Sequence, residues 1–359
     1  MNSFPSWGPA DDGRIKPDLV ANGYYVNSTS YASDTAYITL YGTSMASPNA
    51  AGTAQLLIHY FGLLFTNQTL RASTLKALLI HTADDRGNAG PDYVYGWGLV
   101  NATAAADLLR SYRTNAGTRR IIEGRVATNR TSVTYRFTWD GTNPIRATLC
   151  WTDPAGEATD EHDSRVARLV NNLDLRVFAP TGAVYEPWVM PFVGDWSTNS
   201  LALPATTGSN LTDNVEQVLV TSPGATGTYT ACVTFGGSLA NGSQPFSLIL
   251  SGVEGSDMAA APRLTGSTPA NGYGDQLITL TGEGLLLGAE VRLTRSGCSD
   301  VPGTGVEVLG DTAKVRIAAA GLATGWWDVT FTNPDGQAAV LTNAFGVGVA
   351  SKATVLTVY

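Results

Sequence analysis

The sequence predicts a multidomain protein whose first zone is mixed α/β and whose two later zones are all-β sandwiches. Two observations support this prediction. Apolar residues recur at helical spacing before residue 113, and they alternate with polar residues after residue 119. The length of 359 residues allows two or three domains. We place the first, middle and last zones at residues 1–113, 119–253 and 262–349.

The first zone contains three predicted helices. The first covers about 45–65 and has Pro48 in its first turn, where a missing N–H costs least. Its many small residues suit burial close to a sheet. The second helix covers about 73–82, and Asn101, a good N-cap, begins the third.

The middle and last zones show the two-residue period of β-strands. Residues 133–139 alternate strictly, and further strand-like runs follow at 145–152, 173–178, 215–221, 228–235 and 246–252. Short strands between Gly, Pro, Asn and Asp clusters predict an antiparallel sandwich. In the last zone Trp326 and Trp327 are adjacent and must face opposite sides of a strand. We therefore expect one of them in the core, and not a carbohydrate platform made of both.

Charge and composition argue against several classes of partner. The net charge of −8 disfavours nucleic acid, which requires a basic surface. No stretch reaches the roughly 18 apolar residues of a membrane span, so no membrane partner is expected. The acidic balance suits calcium, although it also simply favours solubility. Cys150, Cys232 and Cys298 match neither a zinc site nor a disulfide framework; Cys150 and Cys232 could pair or stay buried thiols.

The segment YGTSMASPNAAG, residues 41–52, carries the predicted chemistry. A nucleophilic serine must stand clear of bulky neighbours, lie near backbone donors and be held rigidly. Gly42 allows a tight turn into the helix, which places Ser44 at the helix N-terminus. Unpaired N–H groups and the helix dipole favour a developing oxyanion there. Gly-Thr-Ser alone is more often a simple N-cap, so the longer string is what points to catalysis.

That string strongly resembles the serine signature of the subtilisin-like serine peptidases (subtilases). GRIKPDLVANG (13–23), LKALLIHTA (75–83) and YGWGLVNATAAADLL (95–109) resemble, in order, other segments of the C-terminal part of their catalytic domain. The resemblance covers about the first 110 residues and implies part of a doubly wound α/β domain. It implies Ser44 as nucleophile, with Gly42, Thr43 and Met45 as active-site neighbours. Asn22 departs from the family, which usually has proline there.

The resemblance also implies partners of Ser44 that the sequence lacks. A subtilase triad takes an Asp and a His from earlier in the chain, and an Asn completes the oxyanion hole. His59 and His81 follow the nucleophile and His162 lies in another zone, so we expect none of them to be the base. The expected function is a fragment of a secreted serine endopeptidase acting on protein or peptide substrates, inactive alone. The alternative is an extracellular binding or adhesive protein with a degenerate peptidase remnant.

The later zones resemble known modules as well. IRATLCWTDP, LVNNLDLRVFAP and GTYTACVTF resemble the P-domain-like, jelly-roll-like sandwich of alkaline subtilases, which implies a structural calcium ion. Candidate oxygen ligands at strand ends are Asp153, Asn172, Asp174 and Asp213. GWWDVTFTNPDGQAA and NAFGV resemble an IPT/TIG immunoglobulin-like domain, which implies a ligand on an extracellular surface. The expected location is extracellular, with any secretion signal ahead of residue 1.

Overall fold

The computed structural model describes residues 5–66, 68–114, 121–191, 197–254, 261–333 and 336–349. The first zone is formed by three helices and one antiparallel ribbon: β1 (Val26–Thr29), β2 (Tyr37–Leu40), α1 (Thr43–Leu64), α2 (Ala72–His81) and α3 (Ala102–Thr114). The three predicted helices are therefore confirmed. Helix α1 begins at Thr43, directly after Gly42 and within two residues of the predicted start.

Helix α1 is packed against the rest of the protein through only part of its surface. Leu57 and Phe61, one turn apart, are buried against α3, and Phe65 packs its ring 4.8 Å from that of Phe61. Outside this packed stripe the helix exposes three large aliphatic side chains, at different angles around its axis: Leu56, Ile58 and Leu63. The amide of Ala104 donates to the side chain of Asn101 over 2.9 Å, which confirms the predicted N-cap of α3.

The middle zone is built from two antiparallel sheets packed face to face. The first has the order β10–β5–β12–β3 and the second β13–β4–β11–β6–β7. The elements of the zone in chain order are β3 (Ile121–Ala127), β4 (Ser132–Trp139), β5 (Ile145–Cys150), β6 (Asn172–Phe178), β7 (Val184–Tyr185), β8 (Trp188–Val189), α4 (Thr198–Leu201), β9 (Thr206–Thr207), β10 (Val215–Val220), β11 (Thr228–Gly236), β12 (Ser243–Ser251) and β13 (Val253–Glu254). Strands β8 and β9 pair only with each other, as a separate ribbon. In β4 Val133 and Phe137 are buried and Thr134 and Thr138 are exposed, as the alternation of residues 133–139 predicts.

The last zone has two further sheets, of orders β14–β16–β20–β19 and β15–β22–β21–β17–β18. Its strands are β14 (Arg263–Thr268), β15 (Asn271–Gly272), β16 (Asp275–Glu283), β17 (Glu290–Thr294), β18 (Val301–Pro302), β19 (Thr304–Leu309), β20 (Thr312–Ala318), β21 (Gly325–Thr332) and β22 (Ala338–Val347). In β21 Trp327 is buried and Trp326 is half-buried, so one of the pair is a core residue as predicted. The chain thus folds mostly as β-sheet after α3.

A polar interface joins α2 to the first sheet of the middle zone. The buried Glu123 of β3 accepts hydrogen bonds from the Arg71 guanidinium, over 2.7 Å, and from the Thr74 hydroxyl. Thr74 also lies 2.8 Å, oxygen to oxygen, from Ser247 of β12. Burial raises the pKa of the Glu123 carboxyl, whereas Thr74 and Arg71 lower it.

The last zone contacts both of the others. Its Leu287 is buried in the apolar cluster of the helices, and its carbonyl accepts a 2.7 Å hydrogen bond from the Tyr112 hydroxyl of α3. The amide of Gly310, at the turn between β19 and β20, donates to the Glu123 carbonyl over 3.1 Å. Arg125 pairs with Asp311 of the same turn over 2.9 Å. The three zones therefore meet around strand β3.

All three cysteines are free thiols, which decides between the two alternatives left by the sequence. Cys150 is buried, and desolvation raises its pKa to about 12. Within the described ranges, no helix combines the length and apolar character that crossing a membrane demands.

Candidate active site

Ser44 lies in the first turn of α1, and its side chain is exposed. The amides of Met45 and Ala46 donate hydrogen bonds to the Gly42 carbonyl, over 3.1 and 3.3 Å, and these bonds close the turn. The first amides of a helix have no partner in the preceding turn and point towards its N-terminus. The predicted placement of Ser44 at a helix start is therefore what the structure shows, and its hydroxyl is accessible.

Two glycines hold the turn before Ser44. Gly42 has φ 151°, within the region that favours glycine, so a side chain there would strain the backbone. The Gly42 amide donates to the Gly23 carbonyl over 2.8 Å. A Cβ atom on Gly23 would lie 2.5 Å from the Gly42 carbonyl oxygen and 2.9 Å from the Ala46 Cβ. Sequence reasoning missed this role of Gly23; the signal available was a glycine closing the segment that resembles the subtilases.

A cleft of about 620 Å³ lies beside this turn. It is lined by the 17–24 segment and, on α1, by small side chains at Thr43, Ala46, Ser47 and Ala50. Ser44 does not line it and faces solvent on the adjoining side of the helix. Of the predicted neighbours of Ser44, Thr43 is exposed and Met45 is half-buried.

None of the three histidines is placed to activate Ser44. His59 is exposed on the same helix, 15 residues and therefore about 22 Å further along its axis. His81 is buried, with its ring nitrogens 2.9 Å from the hydroxyls of Thr148 and Ser251. Burial and then the nearby Arg146 lower its pKa well below the usual value, so it stays neutral. His162 is exposed in the middle zone, and the described part of the chain shows no contact between it and Ser44.

Asn22 replaces the family's usual proline without leaving the segment unsupported. Its side-chain oxygen accepts a 3.1 Å hydrogen bond from the amide of Tyr24, two residues on. Such a turn fixes the backbone by a hydrogen bond where proline would fix it by its ring. The hydrogen bond from Tyr24 therefore compensates for the missing proline ring.

The four predicted calcium ligands do not form one cluster. Asp153 accepts hydrogen bonds from the amides at Val170 and Asn171, over 2.7 and 2.9 Å. Asp213 is buried and accepts from the Ile15 amide over 2.8 Å. In the described part of the chain no three His, Cys, Asp or Glu side chains are grouped as a metal site.

The two remaining candidates differ from these. Asn172 has a buried side-chain oxygen without a hydrogen-bond partner, and Asp174 follows it on the same face of β6. The buried Glu216 of β10 reaches the same strand, where its carboxylate accepts a 2.6 Å hydrogen bond from the Leu175 amide. Burial raises the pKa of Glu216 well above its usual value, and the charge of Asp174 adds to this. Calcium in this zone stays a prediction.

Comparison with known proteins identifies the segment that carries Ser44. Residues 1–98 match the model of the subtilase family. The match ends before α3, so it covers the nucleophile turn, α1 and α2 but neither β-zone.

Three curated relatives agree with this. Subtilisin DY of Bacillus licheniformis is 43% identical over 89 residues, 25% of this chain and 28% of that protein. The serine protease AprX of Bacillus subtilis (strain 168) is 36% identical over 114 residues, 28% of this chain and 24% of that protein. The "Serine protease/ABC transporter B family protein tagA" of Dictyostelium discoideum is 30% identical over 203 residues, 49% of this chain and 11% of that protein.

These matches cover only part of each relative. The chain spans between about a tenth and about a quarter of the length of these relatives. They show similarity to subtilase-family serine peptidases over part of the chain. The resemblance stated from the motif is thereby confirmed for residues 1–98.

Proposed function

We propose that the first zone supplies the nucleophile, Ser44, of a secreted subtilisin-like serine endopeptidase. One observation carries the proposal: an exposed serine in the first turn of a helix, behind the Gly23–Gly42 turn, within the segment that matches the subtilase model. Ser44 Oγ attacks a peptide carbonyl carbon, and its proton passes to a base. The oxyanion then lies against the amide of Ser44 itself in the first turn of α1, where the helix dipole also stabilises it.

The proposal places the base and its acidic partner outside this sequence. It is supported by the positions of the histidines, none of which contacts Ser44, and by the uncovered face of α1. Leu56, Ile58 and Leu63 expose apolar surface around the part of the helix that is not packed against α3. Exposed apolar surface of this kind is typical of an interaction face. We assign it to the rest of the catalytic domain, and we expect this chain to be inactive alone.

In this proposal the two β-zones stabilise the first zone. The support is the polar interface of α2 with the middle zone and the insertion of Leu287 of the last zone among the helices. We propose no catalytic group from either zone. A structural calcium ion would use oxygens at Asn172 and Asp174, because those of Asp153 and Asp213 already accept backbone amides.

The test is covalent labelling with a fluorophosphonate, which reacts with activated serines. We expect this chain to remain unlabelled and the longer protein, with the preceding reading frame included, to be labelled at Ser44. Ser44→Ala in the longer protein should abolish labelling and peptide hydrolysis. Ser47→Ala is the matched control, because Ser47 is also exposed, one turn further along α1.

Two outcomes would contradict the proposal in different ways. Strong labelling of Ser44 in this chain alone would show that the base is inside it. A longer protein that is neither labelled nor hydrolytic would instead favour the alternative, in which the β-zones bind a surface ligand and the first zone is a remnant.

A further inference from the structure

An exposed group of tyrosines lies next to the nucleophile turn. Tyr24, Tyr25 and Tyr41 expose 49%, 68% and 65% of their surface. The ring of Tyr24 lies 4.4 Å from that of Tyr25, edge to face, and 6.0 Å from that of Tyr41. We name these three residues the tyrosine patch. Clustered aromatic rings exposed to water are typical of a binding surface, because each ring offers large apolar area and a polar tip.

The patch is fixed to Ser44 by the backbone. Tyr41 precedes the nucleophile by three residues, and Tyr24 directly follows Gly23, whose carbonyl accepts the Gly42 amide over 2.8 Å. Tyr24 is held in turn by its own amide bond to the Asn22 side chain. The backbone that carries Tyr24 and Tyr41 is therefore tied to the turn that positions Ser44.

The backbone at the patch is unusual. Tyr25 has φ 52°, a left-handed conformation that is rare for a bulky aromatic residue. Such a conformation costs free energy, and residues that hold one cluster at functional sites. Here it turns the ring of Tyr25 edge-on to Tyr24 instead of letting the strand continue regularly into β1.

The ribbon beyond the patch offers hydrogen-bonding groups to a peptide. Strands β1 and β2 pair with each other, with Val26 opposite Leu40 and Ser28 opposite Ile38. Among the described strands, neither pairs with any other, so each has one open edge. An open edge can bind an extended peptide as an added strand.

The sequence around the patch is almost uncharged, and Asp18, which lines the same cleft as Tyr24, is paired with Lys16 and Lys76. Between positions 19 and 70 the sequence contains a single Asp, Glu, Lys or Arg residue, Asp34. A charged side chain bound here would lose hydration without gaining a partner, whereas an aromatic or large aliphatic side chain would gain contact with the rings.

We propose that the tyrosine patch binds a large apolar side chain, preferably aromatic, of a peptide extended along the β1–β2 ribbon. This makes Tyr24, Tyr25 and Tyr41 specificity-determining residues. The inference rests on the proposed function for its peptide ligand, but it does not require Ser44 to be activated, because binding by the rings involves no covalent step.

The experiment measures peptide binding to this chain by fluorescence anisotropy. Two labelled, uncharged peptides are compared that are identical except for one phenylalanine or alanine. We expect the phenylalanine peptide to bind about tenfold more tightly, as one buried aromatic contact allows. Tyr24→Ala and Tyr25→Ala should each remove most of this preference, whereas Tyr25→Phe should keep it.

Tyr31→Ala is the matched control. Tyr31 lies between β1 and β2, is fully exposed at 103%, and makes no ring contact with the patch. Its loss should leave the preference unchanged, as should Ser44→Ala. Equal binding of the two peptides by the unmodified chain would overturn the inference, as would a preference that survives both Tyr24→Ala and Tyr25→Ala. If the longer protein fails to react with fluorophosphonate while this chain still prefers the phenylalanine peptide, the proposed role of Ser44 is wrong and the binding role of the tyrosine patch stands.

Discussion

Trp327→Ala is expected to destabilise the last zone by about 3–5 kcal/mol, the range for removing a fully buried large aromatic side chain. Trp327 is 2% exposed and lies opposite Phe345 in the pairing of β21 with β22. Its indole N–H donates to the Ala323 carbonyl over 3.1 Å, and the Arg295 guanidinium lies 5.8 Å from the ring centre. Alanine would leave a cavity, while the Ala323 carbonyl would keep its 3.2 Å hydrogen bond from Arg295.

The neighbouring residue provides the control. Trp326 precedes Trp327 in the same strand, faces the other side of the sheet and is only half-buried. Trp326→Ala should cost about 1–2 kcal/mol, because less apolar surface is lost and no closed cavity forms. The pair of variants therefore measures burial at constant residue type.

Hydrogen exchange is the suitable measurement, because peptides from β16, β20 and β21 report the last zone separately from the other two. The expected result is faster exchange of these peptides in Trp327→Ala and near-normal exchange in Trp326→Ala. Equal effects of the two substitutions would show that the side assigned to each ring is wrong.

Arg71→Ala is expected to cost about 3 kcal/mol at neutral pH, because it leaves the buried Glu123 carboxylate without its charged partner. The Glu123 side chain is 2% exposed, and the Arg71 Nε lies 2.7 Å from its Oε2. The hydroxyl of Thr74 would remain as a donor, but a neutral hydroxyl does not offset the desolvation of a charge.

The loss should depend on pH. Burial already raises the pKa of Glu123 and Arg71 lowers it, so removing Arg71 must raise the pKa further in the folded state. A carboxyl with a raised folded-state pKa holds its proton when folded, and its contribution to stability is lost as the pH rises through that pKa. Arg71→Ala should therefore be less damaging at pH 5 than at pH 8, as measured by urea unfolding.

Two further variants make this interpretation testable. Glu123→Gln combined with Arg71→Ala should recover much of the stability and remove its pH dependence, because no buried charge is left. Arg110→Ala removes an exposed ion pair with Asp107 and should change stability by less than about 1 kcal/mol. A loss in Arg71→Ala that is the same at both pH values would assign it to packing of the arginine and not to the stranded charge.

The candidate site was largely predictable because its signals are local. Gly42, Ser44 and the small residues after them occur within one turn of sequence, and the helix that follows shows its own period. Strand alternation predicted the buried Val133 and Phe137 of β4 and the core tryptophan of β21 for the same reason, since each strand places successive side chains on opposite faces.

Tertiary structure alone decided which distant residues meet. Arg71 and Glu123 are 52 positions apart, and the helical cluster takes Leu287 from the last zone. The two glycines of the nucleophile turn come together only when the ribbon folds back. Burial then set the charge states, keeping His81 neutral and raising the pKa of Glu216. The period of a sequence predicts which side of a helix or strand is apolar. It does not predict which other element packs against that side, and the desolvation of a buried group depends on that packing.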